Sequence, residues 1–284
     1  MLLCYCATVS LSKIGASAFE NSGLTSITIP ENVTSLGGQI FSGCSNLETV
    51  TFETSKIQVI PSNAFMNCKN GISISLKSNP FIASGAVFPS SYTLTMNLKA
   101  NGDGNGNNWS TFYNHNYSFV ADENTKVFKA ELDGSKLRLH EVSDKIVNAQ
   151  TVVILKSTGN PVMTNTSSTS SDSQNNSLSG VGISAYNLSI TGNGSIYVLN
   201  KGSKGVGFYK LANGAKLGVG KAYLTYTGTS ARDFFSFDEE TTGIDGVKGQ
   251  KEDVRGVYYD LQGRRVEYPT KGLYIVNGKK VIIK

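Results

Sequence analysis

One feature near the N-terminus limits the fold of this chain more than any other: a phenylalanine that recurs at a nearly constant interval. Phe19, Phe41 and Phe65 are 22 and 24 residues apart, and an aliphatic residue precedes each of them at the same distance. A unit of this length cannot close a core of its own, so successive units must stack and share one. We therefore predict a short solenoid in which the three rings form one column.

Each repeat unit also contains a short segment in which apolar and polar residues alternate, which predicts a β-strand. These segments are Thr25–Ile29, Glu48–Phe52 and Ile72–Leu76. Stacked units would join them into a parallel sheet with one face toward solvent. The residues predicted for that face, which form the candidate binding surface, are Thr25, Thr28, Glu48, Thr49, Thr51, Ser73 and Ser75.

Two of the four cysteines occupy equivalent repeat positions. Cys44 and Cys68 stand where the first unit has Ser22. A metal or redox pair is one interpretation, but the cysteines are separated by the repeat period and not by a short ligand spacing. We predict a column of small buried residues.

The repeat pattern resembles a known family. The pattern over residues 11–80 is an I-G-x-x-A-F motif followed by Cys or Ser, by Leu and by an alternating strand. This pattern resembles the BspA-type leucine-rich repeats of bacterial and protozoan surface proteins. The third copy departs from the pattern at Gly71, which predicts decay of the array. The resemblance implies adhesion to host matrix proteins, host cells or other bacteria.

Residues 81–100 are expected to cap the solenoid with one more strand, so that the first domain spans residues 1–100. Residues 101–108 form a polar, glycine-rich joint. Asp103, Asn105 and Asn107 imitate half of a calcium loop, but Asn108 stands where such a loop needs glycine. A simple turn is favoured, with calcium as the alternative.

Residues 101–245 predict an all-β module of sandwich or barrel type, because short strands follow one another without helical periods. A hairpin is expected about Asp133-Gly134, with strands Lys126–Leu132 and Lys136–Val142. Residues 157–180 are rich in Ser, Thr and Asn and predict a mobile loop. Further strands are expected at Thr151–Leu155, Ser195–Leu199, Val206–Leu211, Ala222–Tyr226 and Arg232–Phe237.

This module resembles one found beside such repeats in surface proteins of Bacteroidetes. The motifs that carry the resemblance are Trp109–Phe112, Val153–Lys156, Gly207–Lys210 and Lys221–Leu224. No activity follows from this resemblance.

Residues 246–284 form a third, basic part, a small β tail. They hold 9 Lys+Arg and 4 Asp+Glu, which accounts for the whole net charge of +5, because residues 1–245 hold 17 of each. Two hairpins are expected, at Gln262-Gly263 and Asn277-Gly278. The Y-D-L-x-G-R-x-V and G-L-Y-I motifs resemble the C-terminal sorting domain of type IX secretion cargo, which implies export across the outer membrane. A β-cap without a sorting role is the alternative.

The sequence gives little support for catalysis. His115 and His140 are the two histidines, and neither stands in a recognised catalytic or metal-binding motif. The acidic run Asp238, Glu239 and Glu240 could supply carboxylates for glycoside hydrolysis, which needs two of them facing each other across a cleft. We predict instead that the run forms a solvated turn. We predict no enzymatic activity, no cofactor, no metal and no nucleic-acid partner.

The leading hypothesis is a secreted protein at the extracellular or outer-membrane surface that binds host or bacterial proteins. No apolar run is long enough for a membrane-spanning helix. Met1–Leu11 is a poor signal peptide; a lipoprotein-like site and a remnant of a preceding repeat are the other interpretations, and the remnant is favoured. The alternative function is a carbohydrate-binding accessory that uses Trp109, Tyr113 or Tyr117 as an aromatic platform.

Overall fold

The computed structural model consists of β-strands and their connections, and the mainly-β prediction is confirmed. It describes residues 11–85, 87–134, 136–182, 186–228, 232–239, 258–260, 264–266, 271–276 and 279–283. Residues 1–10, for which the signal-peptide, lipoprotein and repeat-remnant interpretations were given, lie outside these ranges.

The repeat part alternates longer strands with two-residue strands. The longer strands pair in parallel in the order β8-β6-β4-β2, and the short ones pair as β1-β3 and β5-β7. Each coil therefore gives one longer strand to a shared sheet. The strands are β1 (Lys13–Ile14), β2 (Ser26–Ile29), β3 (Ser35–Leu36), β4 (Thr49–Phe52), β5 (Val59–Ile60), β6 (Ile72–Leu76), β7 (Phe81–Ile82) and β8 (Tyr92–Asn97).

The phenylalanines stack in a column inside the coils. The ring centroids of Phe19 and Phe41 are 5.5 Å apart, those of Phe41 and Phe65 are 5.3 Å apart, and the planes are within 19° of parallel. The predicted column is confirmed, and Phe88 extends it with a centroid 5.6 Å from that of Phe65. Each stacked pair contributes about 0.5–1.5 kcal/mol beyond the apolar area that it buries.

Residues 81–100 are a fourth coil and not a terminal cap, because β8 pairs in parallel with β6 in the same register as the earlier strands. The predicted decay at Gly71 is also wrong. Gly71 has a φ of 83°, which suits glycine, and its amide donates to the carbonyl of Ser91 in the next coil. The missing leucine therefore leaves the array intact.

Strands of the following segment complete the repeat sheet. β16 pairs antiparallel with β8, and β11 and β14 follow, which gives a seven-stranded sheet in the order β14-β11-β16-β8-β6-β4-β2. The strands of this segment are β9 (Asn101–Gly102), β10 (Asn108–Tyr113), β11 (Ser118–Ala121), β12 (Thr125–Asp133), β13 (Lys136–Glu141), β14 (Ile146–Val147), β15 (Val152–Ser157), β16 (Val162–Thr166) and β17 (Leu178–Gly180).

The prediction of a mobile loop over residues 157–180 is wrong, because this segment contains β16 and β17. Met163 is fully buried and pairs with Met96 of β8, so one apolar side chain fixes the register of a polar strand. The polar stretch that follows is held by an ion pair of 2.6 Å between Lys129 and Asp172, both of which are largely buried. Asn148 also exchanges two hydrogen bonds with the backbone of Ser170.

The remaining strands of the first unit extend a ten-stranded sheet in the order β17-β22-β19-β20-β23-β13-β12-β15-β10-β9. The predicted hairpin about Asp133-Gly134 is confirmed by the β12–β13 pairing. The added strands are β18 (Ser189–Thr191), β19 (Ile196–Gly202), β20 (Gly205–Lys210), β21 (Lys216–Gly218), β22 (Ala222–Thr225) and β23 (Phe234–Glu239).

The ten-stranded sheet separates two hydrophobic cores. Phe112 of β10 packs in the core of the repeat coils, whereas Trp109 and Tyr113 of the same strand pack in a second core. Residues Met1–Glu239 form one compact unit and Glu240–Lys284 a second. Within the first unit, both a sheet and a core run across residue 100, where the sequence predicts a domain boundary.

The second unit contains the two predicted hairpins. β24 pairs antiparallel with β25 and β26, and β26 pairs antiparallel with β27. The turns Gln262-Gly263 and Asn277-Gly278 lie outside the described residues. The strands are β24 (Tyr258–Tyr259), β25 (Arg265–Val266), β26 (Gly272–Val276) and β27 (Lys279–Ile283).

Candidate binding face

Alternation of apolar and polar residues along β2, β4, β6 and β8 builds the solvent side of the repeat sheet. In β6, Ile72, Ile74 and Leu76 are buried, whereas Ser73 and Ser75 reach solvent fully or partly. Successive side chains of a strand point to opposite faces. Every second residue of each longer strand therefore lies on the outer face.

Parallel pairing in register arranges the outer residues in two rows that cross the coils. Neighbouring strands are about 4.8 Å apart. Because every member has a hydroxyl group, the rows form an uncharged array of hydrogen-bond donors and acceptors. The first row is Ser26, Thr49, Ser73 and Thr93, and the second is Thr28, Thr51, Ser75, Thr95 and, on β16, Thr164. We call these two rows the hydroxyl face.

Charged residues flank the hydroxyl face at the strand ends. Lys69 forms an ion pair with Glu48, and Lys77 forms one with Glu53, in each case between successive coils. The hydrogen bond and the charge of Lys69 lower the pKa of Glu48. Exposed pairs of this kind contribute little to stability, but they neutralise the charges beside the rows.

Five of the residues predicted for the face lie in its two rows: Thr28, Thr49, Thr51, Ser73 and Ser75. The other two, Thr25 and Glu48, stand just before β2 and β4. The carbonyl of Thr25 accepts hydrogen bonds from the amides of Glu48 and Thr49, at 2.8 Å and 3.3 Å.

The predicted set lacks four members of the rows, which are Ser26, Thr93, Thr95 and Thr164. The signal for Thr93 and Thr95 was present, because Phe88 follows Phe65 by the repeat interval of 23 residues. Thr164 could not be found from the repeat, since it comes from a distant segment that pairs with β8.

The cysteines form the predicted buried column with Ser22. The thiol of Cys44 donates to the carbonyl of Phe19 at 2.9 Å, and that of Cys68 donates to Phe41 at 3.0 Å. Burial raises the pKa of the Cys68 thiol to about 11. Each thiol thus links one coil to the previous one, and at Cys68 burial suppresses the reactive thiolate.

The carboxylate of Asp103 accepts hydrogen bonds from neighbouring residues of the protein. Burial opposes ionisation of Asp103, but hydrogen bonds from the Asn107 side chain, the Asn105 amide and Trp109 outweigh it and lower the pKa to about 2. These contacts describe an Asx-type turn. In the described part of the chain, no three His, Cys, Asp or Glu side chains form a group that could hold a metal ion.

The two histidines have separate local partners. His115 Nδ1 lies 3.1 Å from the hydroxyl of Tyr113, and His140 Nε2 lies 3.3 Å from a carboxylate oxygen of Glu131.

Asp238 and Glu239 belong to β23, which pairs with β13, so the predicted turn is wrong at these two positions. Glu240 lies outside the described residues.

The proposed aromatic platform of Trp109, Tyr113 and Tyr117 is not formed. Trp109 and Tyr113 are 4% and 5% exposed, and Tyr117 packs against the repeat core. One face of Trp109 meets Lys156 and the ring stacks on Phe237. Trp109 and Tyr113 are therefore closed to a sugar, and Tyr117 lies against a different core, so the three rings form no shared platform.

The described residues include no apolar helix of membrane-spanning length. No curated protein and no solved structure matches the chain. The family model "BspA type Leucine rich repeat region" matches residues 7–119, in six copies. The match covers all four coils and continues into β10 and β11, so it extends past the segment whose resemblance is evident from sequence. The repeat part of the chain, residues 7–119, is thus similar to BspA-type leucine-rich repeat regions.

Proposed function

We propose that this chain is a non-enzymatic binding protein of the bacterial cell surface, and that its hydroxyl face holds proteins of the host or of other bacteria. The observation that carries the proposal is the pair of hydroxyl rows in register across the coils. An array of this kind loses little conformational entropy on binding, because short Ser and Thr side chains have little rotamer freedom to lose.

The family match supports this role, since BspA-type repeats are common in surface and adhesion proteins. Repeat scaffolds suit binding because each coil adds another strip to one continuous surface. The identity of the ligand does not follow from the scaffold. Host matrix proteins, host cell-surface proteins and other bacteria are therefore the partners to test.

Export and attachment form the second part of the proposal. The tail motifs Tyr258-Asp260 and Gly272–Ile275 resemble those of type IX sorting domains, and the two antiparallel hairpins support a compact signal-bearing unit. The proposed location is the extracellular face of the outer membrane. No cofactor or metal enters the proposal.

The test is a binding panel with the full chain as analyte. Matrix proteins and intact bacterial cells are immobilised, and binding is measured for the unaltered protein and for Ser73→Glu, which places a charge in the middle of the first row. The matched control is Ser35→Glu, an exposed serine on β3 outside the repeat sheet. We expect at least about tenfold weaker binding for S73E and no change for S35E. Equal binding by all three proteins would reject the hydroxyl face as the binding surface.

A further inference from the structure

A fixed distance separates the hydroxyl groups along each row of the hydroxyl face. The rows run across the strands of the repeat sheet, so successive members are one strand spacing apart, which is about 4.8 Å. The members belong to β2, β4, β6 and β8, and β16 adds one more to the second row. A ligand that lies along the rows therefore meets a hydrogen-bonding group at each multiple of about 4.8 Å.

Most of these hydroxyl groups are available to a ligand. All four members of the first row are exposed, and the members of the second row are exposed or partly so. The side-chain amide of Asn97 donates a hydrogen bond of 3.3 Å to Ser75 Oγ. Within the described ranges, the other eight row members make no side-chain hydrogen bond to the protein. A hydroxyl group can donate one hydrogen bond and accept two, so these groups can serve an external partner.

The rows themselves carry neither charge nor an aromatic ring, because every member is Ser or Thr. The charged residues at the strand ends form ion pairs with each other, Lys69 with Glu48 and Lys77 with Glu53. Charge complementarity therefore favours an uncharged ligand. Such a ligand must have hydrogen-bonding groups that its own structure leaves unsatisfied, since hydrogen bonds are what the rows offer.

A polypeptide in the polyproline II conformation has groups of this kind. The conformation has no internal hydrogen bonds, and its backbone is fully solvated. A proline in such a chain keeps its carbonyl oxygen but has no N–H, so proline-rich chains have an excess of acceptors. The hydroxyl groups of the rows can donate to these carbonyl oxygens.

The repeat of this conformation also matches the spacing of the rows. Polyproline II rises about 3.1 Å per residue with three residues per turn, so one side of the chain recurs every 9.3 Å or about that. Two strand spacings amount to about 9.6 Å. Over the five strands of the second row, a length of about 19 Å, the mismatch accumulates to only about 0.6 Å. Such a chain would therefore meet the same row on alternate strands.

Other polypeptide conformations match the rows less well. An α-helix has a pitch of about 5.4 Å, so it departs from the rows by about 0.6 Å at every strand, and its backbone groups are satisfied internally. An extended strand recurs every two residues, or about 6.7 Å, and it pairs with the edge of a sheet and not with its face. Polyproline II is thus the conformation for which both the period and the free hydrogen-bonding groups agree with the face.

We infer that the ligand of the hydroxyl face is an uncharged, proline-rich polypeptide in the polyproline II conformation, lying along the rows and across the strands. This rests on the proposed function, because it names the class of protein segment that the same face binds. Two sources supply this chemistry: a single proline-rich chain, and a triple helix of Gly-X-Y chains such as collagen. Both present backbone carbonyl oxygens at the same repeat.

The experiment is biolayer interferometry with the full chain immobilised. The probes are a triple-helical peptide of Pro-Pro-Gly triplets, a single-chain proline homopolymer, a flexible Gly-Ser peptide of the same length, and dextran as a neutral polysaccharide. We expect at least one of the two proline probes to bind at least about tenfold more tightly than the Gly-Ser peptide and dextran. Which proline probe binds more tightly identifies the source. Absence of binding by both, or equal binding by dextran, would overturn the assignment.

A double variant connects the binding to the rows. T49V/S73A removes hydroxyl groups from two neighbouring strands, so one of them belongs to whichever alternate set the ligand contacts. We expect about threefold to tenfold weaker binding of the proline probe, as for the loss of one hydrogen bond. S189A/T191V makes the same two changes at exposed positions of β18 and should bind normally. Unchanged binding by T49V/S73A, or equal loss by the control, would refute the proposal.

Two further results separate this proposal from the function on which it rests. Raising the salt concentration from about 0.05 M to about 0.5 M should leave the affinity for the proline probe nearly unchanged, because the rows carry no charge; a steep loss would contradict it. Matrix proteins that bind and lose affinity with S73E, without binding of either proline probe, would reject polyproline II and leave the binding face in place. Matrix proteins that bind S73E normally would reject the face itself.

Discussion

At the scale of residues, the ring column is the main determinant of the repeat core. Phe41 and Phe65 are fully buried and each has a stacked ring on both sides, whereas Phe19 is only partly buried and stacks on one neighbour. Interior packing is dense, so loss of a ring leaves a cavity that the surrounding coils cannot fill. Position in the column should therefore decide the cost of removing a ring.

We predict that Phe41→Ala lowers the free energy of unfolding by about 3–5 kcal/mol, as is usual for a buried phenylalanine. Phe19→Ala, at the end of the described column, should cost clearly less. Urea denaturation followed by circular dichroism measures both. Similar losses for the two variants would mean that the rings do not act as a stacked column.

The sequence revealed the column because a buried aromatic residue must recur wherever a coil recurs. It did not reveal that Tyr223, Val198, Tyr209 and Phe234 lie side by side, because their four strands become adjacent only when the sheet forms. It also placed the sugar platform on Trp109 and Tyr113, which the second core buries. Residue type alone does not say which face of a strand will be covered.

At the scale of elements, the junction between β8 and β16 joins the parallel coils to antiparallel strands. The side chain of Asn165 accepts a hydrogen bond of 2.7 Å from the amide of Leu94 in β8, so a side chain replaces a backbone partner there. Strands with clear alternation, such as β6, were predictable. β16 was not, because four of its five residues are only partly buried and the segment around it is polar.

We predict that Asn165→Ala destabilises the protein by about 1–3 kcal/mol, because it leaves the Leu94 amide without its acceptor in a partly buried position. Asn97→Ala is the matched control, since Asn97 is an exposed asparagine at the other end of β8 and its change should cost less than about 0.5 kcal/mol. Thermal melts of both variants decide the point. Equal effects would show that the Asn165 contact does not support the junction.

At the scale of the whole molecule, the repeat coils and the strands that follow them form one unit. The core of the coils includes Phe112, Phe119 and Val127, which come from strands beyond residue 100. The hydroxyl face likewise ends on Thr164 of β16. The hydroxyl face therefore requires this one cooperative body, whereas residues from Glu240 onward form a unit of their own.

The most direct test of this account is a pair of truncated chains, ending at residue 100 and at Glu239, examined by thermal unfolding and native-state hydrogen exchange. We predict that the shorter chain does not melt cooperatively, because it exposes the edge of β8 and the apolar core residues beneath it. The longer chain should keep the cooperative melt of the full protein. A shorter chain that folds cooperatively, with protected amides in β4, β6 and β8, would contradict the central claim that coils and module form one body.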